Sequence, residues 1–164
     1  MPPVPAERPS GSADRLVTVA IAAGSVCTAA TLGVLLGLGR RSGAPWRVIN
    51  AAASTVLGVR ADGVWGFEAN VTLVGVAVVL VMSGAAAVVA AWLASSRRTL
   101  DGAFAAFGVA FASYLVHLHV VAGTAGGLAE LLTVGELRAL YCTAAIALAV
   151  GMRYAYVSEA GASR

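Results

Sequence analysis

Residues 71–94 read VTLVGVAVVLVMSGAAAVVAAWLA, an uncharged run whose polar groups are confined to Thr72, Ser83 and the Trp92 indole. A spanning helix requires about 20 predominantly apolar residues, so the run is long enough to cross a bilayer with some tilt. In hydrocarbon each backbone amide must find its partner inside the protein, and a closed barrel would require alternating strands of about ten residues. That alternation is missing, so the run reads as a transmembrane helix.

Three further windows meet the same test, at 16–38, 103–123 and 137–157. None has a charge in its central turns. Arg153 lies near the end of the last window, where its aliphatic stem can carry the guanidinium to the interface. The first window is longer than the apolar core of a secretory signal and ends in Arg40 and Arg41, a stop-transfer pattern. The expected fold is therefore all-α: a transmembrane four-helix up-down-up-down bundle over 15–158, with 1–14 a disordered Pro-, Ser- and Gly-rich tail and 159–164 a C-terminal one.

Composition agrees. Hydrophobic residues make up 59% and charged residues 12% of the 164, against about 45–50% and about 25% in ordinary globular chains. A soluble domain of this size could not hide so much apolar surface. All eleven basic residues are arginine, which fits a GC-rich bacterial genome, and most flank apolar runs as interfacial anchors. The net charge of +3 is thus no sign of nucleic-acid binding, and no arginine cluster is interleaved with exposed aromatics. The bacterial inner (cytoplasmic) membrane is the expected location. Counting arginines on either side of the spans gives six against five, which does not decide orientation under the positive-inside rule; the tails and the tight Arg97–Arg98 loop resemble ordinary cytoplasmic flanks, so both termini are expected in the cytoplasm.

The connection between the first two spans carries its own signal. Ser42-Gly43-Ala44-Pro45 is turn chemistry, and from Trp46 onward Ile49, Ala53, Val56 and Leu57 share one helical face while Arg47, Asn50 and Ser54 share another. This predicts a short amphipathic helix over 45–58, lying in the membrane interface with Trp46 at headgroup depth; a re-entrant helix buried against the bundle is the alternative. Residues 95–102 join the second and third spans, with Asp101 placed to cap the third, and 124–136 form a glycine-bearing loop before the fourth.

Helices in lipid associate by close packing of small residues. Each span offers a small-residue seam: Gly33 and Gly37 on the first, Ser83, Ala87 and Ala91 on the second, Gly108 and Ala112 on the third, Ala147 and Gly151 on the fourth. Together they can build a compact bundle.

Reactive chemistry is sparse. His117 and His119 are the only histidines, and two residues of helix turn them about 200° apart, so they cannot grip one metal together. Tyr114 shares the His117 face by its i, i+3 relation. Glu68, Glu130 and Glu136 lie at helix ends rather than mid-membrane, which argues against a carboxylate-based proton pump. Cys27 and Cys142 lack metal-binding spacing and read as small hydrophobes. Neither a Gly-x-Ser-x-Gly elbow nor a phosphate loop is present, so no enzyme, metal or cofactor is indicated.

The stretch Ile49-Asn50-Ala51-Ala52, continuing to Leu57-Gly58-Val59-Arg60-Ala61, resembles a segment of small, uncharacterised bacterial four-helix integral membrane proteins. Gly75 and Ser83 in the second span and a Tyr/His-bearing third span fit the same layout. The resemblance implies the fold and no activity. The chain departs from it at Ser54-Thr55, where a His-Trp pair is common, and at Val79-Leu80, where a His-His pair is.

The expected role is that of a non-catalytic accessory or structural subunit packing with itself or with another membrane protein. The alternative is a small transporter or channel for an apolar or weakly polar solute, lined by Arg47, Asn50 and Ser54 or by Tyr114 and His117. A third reading makes His117 or His119 the ligand of a haem or pigment.

Overall fold

The structure, a computed structural model, describes residues 11–61, 63–95, 99–121 and 127–162. Among them six α-helices follow in chain order: α1 (Gly11–Arg41), α2 (Arg47–Leu57), α3 (Ala69–Ala94), α4 (Thr99–Val116), α5 (Gly127–Leu131) and α6 (Val134–Ala162). At His117–Val121 the α4 ladder widens into a π-helical turn. Helices α1, α3, α4 with its extension, and α6 are each long and apolar enough to cross a membrane.

These four close into a ring in which α1 packs on α3, α3 on α4, α4 on α6 and α6 back on α1. Gly24 meets Ala87 while Leu35 shares a cluster with Val79, so α1 and α3 run antiparallel. Gly151 meets Ala23 while Cys27 approaches the Ala144 carbonyl, so α1 and α6 do too. The bundle is up-down-up-down. Its exterior is oily: Leu73, Leu80, Trp92, Phe104, Phe111 and Ile146 are each more than half exposed. An apolar surface of that extent belongs against lipid, not water.

Helix boundaries differ from the sequence reading in instructive ways. Helix α1 begins at Gly11, inside the expected tail, and residues 1–10 lie outside the described part. Helix α4 begins at Thr99, so Asp101 falls within its first turn instead of before it. The expected third span ends at 123, and 122–126 lie outside the described residues, as does the Arg97–Arg98 pair. The expected loop after it contains α5. Helix α6 starts at Val134 because Thr133 and Glu136 form a reciprocal capping box: the Glu136 carboxylate accepts from the Thr133 amide at 2.9 Å and the Thr133 hydroxyl accepts from the Glu136 amide at 3.2 Å.

The small-residue seams divide into two kinds. Ser83, Ala87 and Ala91 are buried on α3, and Ala147 and Gly151 are buried on α6. The other two seams do not build the bundle. Gly33 and Gly37 are exposed, and a methyl group added at either would meet none of the described residues within 4 Å; Gly108 and Ala112 are exposed as well. The reason is helical phase. Leu35 faces inward on α1, and residues two away on either side point about 200° from it; Ala106 and Ala110 do the same to Gly108 and Ala112 on α4.

This division is testable. A Cβ on Gly151 would lie 2.6 Å from the Ala23 Cα and 3.0 Å from the Ala22 carbonyl oxygen, both backbone atoms that cannot swing away. Gly151→Ala is therefore expected to cost about 1–2 kcal/mol by overpacking, whereas Gly33→Ala should stay within about 0.5 kcal/mol of the native chain. Thermal unfolding in one detergent would decide it, and equal effects of the two would contradict the assigned helix rotation.

Candidate functional site

Helix α2 does not lie with one face free. Every residue from Val48 to Ser54 is buried, packed against α3, α1 and α5. The sequence reading puts Arg47, Asn50 and Ser54 on a common polar face, apart from Ile49 and Ala53; the structure buries Ile49, Asn50, Ala53 and Ser54 alike. Small residues make this possible, because Ala51, Ala52 and Ala53 let neighbours close in on every side. The helix ends at Gly58, whose φ of 59° is a left-handed value glycine adopts without strain.

Two features hold α2 in place. Asn50, fully buried, donates through Nδ2 to the carbonyls of Val64 and Gly66 at 3.0 and 2.9 Å. Its Oδ1 accepts from the Thr72 hydroxyl at 2.7 Å, and that hydroxyl in turn accepts from the Glu68 amide at 3.2 Å. Both amide protons of Asn50 are thus used, and α2, the 63–68 connection and the first turn of α3 share one buried clasp. The second feature is Gly75. A Cβ there would run into the Ile49 carbonyl oxygen, so α2 crosses α3 at backbone contact distance.

Held this way, α2 closes one side of a cavity of about 190 Å³ in the middle of the bundle. Ala51, Ala52, Ser54 and Thr55 of α2 face it together with residues of all four long helices and Leu128 of α5. Among the described residues, none that lines it is charged. Of the six hydroxyls around it among the described residues, three give their protons to helix carbonyls: Ser54 donates to Ala51 at 2.7 Å, Thr55 to Ala52 at 3.0 Å and Ser113 to Val109 at 2.8 Å; those of Thr31, Ser83 and Tyr141 also line the space. Thr31 lies 3.9 Å from the Cys27 sulfur.

One group is left over. His117 lines the cavity, is only 9% exposed, and its buried Nε2 has no hydrogen-bond partner among the described residues. It sits at the point where the α4 ladder widens, and such π turns are frequent at functional positions. Its ring packs edge-on to Tyr141 at 6.0 Å, and Tyr141 packs edge-on to Tyr114 at 5.6 Å. His119 is exposed on the opposite side of the helix.

Of the expected lining residues, the structure brings Ser54 and His117 to the cavity and not the others. Arg47 stacks over the Trp65 ring at 4.0 Å, outside the cavity. The polar atoms of Asn50 are consumed by the clasp. Tyr114 faces an outer groove between α4 and α6, where its hydroxyl accepts from Arg138 Nε at 3.3 Å. Among the described residues, Ala110 and Tyr141 are shared by groove and cavity, so the Tyr141 ring stands between them. A haem does not fit beside His117, since the space is near the ~150 Å³ that admits benzene. Among the described residues no group of three or more His, Cys, Asp or Glu side chains could hold a metal.

Compared with known protein families, with curated proteins and with solved structures, the chain matches none of them.

Proposed function

We propose that the chain is an integral protein of a bacterial cytoplasmic membrane whose working part is the central cavity, and that it carries a small apolar or weakly polar solute there as a transporter or channel. The observation that carries this reading is the unpartnered His117 Nε2, buried at the wall of a mostly apolar, uncharged space. An empty polar valence in such surroundings costs about 1–3 kcal/mol unless something visits it. A solute of this kind concentrates in lipid, and the outer groove that shares Ala110 and Tyr141 with the cavity supports loading from the bilayer. Four spans bring both termini to the same side, which we place in the cytoplasm.

Fluorobenzene tests this. Its ¹⁹F resonance in the detergent-solubilised protein is expected to show a saturable component beyond partition into micelles. Ala110→Phe, which fills the cavity beside Tyr141, should remove that component. Fluorobenzene that only partitions, identically with and without the substitution, would refute a solute-carrying cavity.

A second reading has its own support. The outward seams of Gly33 with Gly37 and Gly108 with Ala112 are unused inside the bundle, and small-residue faces of this type suit a second copy or another membrane protein. An accessory subunit that packs through these faces is compatible with a ligand in its core.

A further inference from the structure

We propose that the cavity selects a neutral molecule with an apolar body of about six to eight carbon atoms and a single hydroxyl, an alcohol or phenol, whose hydroxyl bonds His117 Nε2; this rests on the cavity being the working site. Size comes first. At about 190 Å³ the space is somewhat larger than one that takes up benzene, about 150 Å³. Charge is the second restriction. Among the described residues nothing ionised lines the wall to compensate a carboxylate, phosphate or ammonium, and an unpaired charge in such a place is strongly disfavoured.

The third restriction is hydrogen bonding. Ser54, Thr55 and Ser113 turn their protons onto helix carbonyls, so toward the cavity they can only accept. Among the described residues, His117 Nε2 is the buried side-chain polar atom still without a partner. In a neutral imidazole that nitrogen is a donor in one tautomer and an acceptor in the other. A hydroxyl satisfies either, because it both donates and accepts, while a ketone or ether satisfies one alone. A hydrocarbon satisfies neither. The rest of the molecule meets a mostly apolar wall that includes Leu35, Val79, Leu140 and Leu148, with the Thr31, Ser83 and Tyr141 hydroxyls elsewhere on the lining.

The test compares 4-fluorophenol with 4-fluorotoluene, of similar size and differing in the hydroxyl, by ¹⁹F NMR of the full chain in detergent with micelle partition subtracted. The phenol is expected to bind about tenfold more tightly, the difference made by pairing one buried group. In protein carrying ¹⁵N-labelled histidine, the Nε2 resonance of His117 should move on addition of the phenol and that of His119 should not. His117→Phe should leave both probes bound with equal affinity. The ¹⁵N shift is read on the native chain, so the inference stays open to refutation even where the variant does not fold. Equal binding of the two probes to the native chain, or a phenol that leaves His117 unmoved, overturns the hydroxyl preference and leaves the cavity as a site for apolar solutes. Saturable binding of neither probe overturns this inference and the carrier reading together.

Discussion

Asn50→Leu is expected to destabilise the bundle by about 2–3 kcal/mol and to loosen one end of it selectively. Leucine keeps the branching of asparagine but is bulkier, so at this fully buried position overpacking adds to the lost hydrogen bonds. The carbonyls of Val64 and Gly66 lose both of their Asn50 donors, and Thr72 loses the acceptor at 2.7 Å. Asn50→Asp should be worse, although it keeps the shape. An aspartate would turn an oxygen toward two carbonyl oxygens in a position with no solvent exposure, and must either stay protonated or break the clasp. Tryptophan emission provides a local reading. Trp46 packs edge-on against Phe67 at 5.2 Å and Trp65 lies under Arg47, both at the clasp end, while Trp92 lies near the far end of α3. In a Trp92→Phe background the emission should shift to the red before global unfolding. An Asn50→Leu protein that melts with the native chain and keeps its emission would show that the clasp contributes nothing.

The spans were legible in the sequence because length and apolarity alone decide them: 71–94 could be read without knowing any neighbour. Seam direction was not. The spacing of Gly33 and Gly37 guarantees a smooth stripe, but which way the stripe faces depends on the rotation of α1 about its axis, and that is set by Val19, Ala23 and Leu35 meeting α3 and α6. The packing of α2 was not legible for a related reason. Sorting it by polarity puts Asn50 and Ser54 on a polar face and leaves interfacial and bundle-buried placements both open; the structure packs the helix against the bundle, where a buried asparagine is tolerated once its donors are paired, here by a connection fourteen to sixteen residues away. The start of α6 was there to be read, since Thr133-Val134-Gly135-Glu136 is a capping-box pattern. The cavity was beyond sequence reasoning. It exists because alanines on several helices, Ala52, Ala86, Ala110 and Ala144 among them, face one another and leave a gap. Of the candidate site, Ser54 and His117 could be named as lining residues and helical geometry sets His117 and His119 on opposite faces, but which histidine turns inward could not be read.

Gly75→Val is expected to have the largest effect of any single substitution on the placement of α2, about 3 kcal/mol. Its Cβ would have to occupy the place of the Ile49 carbonyl oxygen, with the Ile49 carbonyl carbon at 3.0 Å and Cγ2 at 3.1 Å crowding it further. The side chain of Ile49 could change rotamer, but its carbonyl belongs to the α2 backbone, and so the helix itself must move. Because Ala51, Ala52, Ser54 and Thr55 form one wall of the cavity, moving α2 opens that wall. Cys27 reports on this directly: it lines the cavity, is 2% exposed, and should react slowly with a small neutral maleimide in a Cys142→Ser background. Gly75→Val should raise that rate by an order of magnitude or more even at temperatures where the protein remains folded, whereas Gly33→Val, on the outer face of α1, should leave it unchanged. Were Cys27 equally protected in the native and Gly75→Val proteins, α2 would not be the wall that closes the cavity, and the close approach at Gly75 would have no bearing on access to His117.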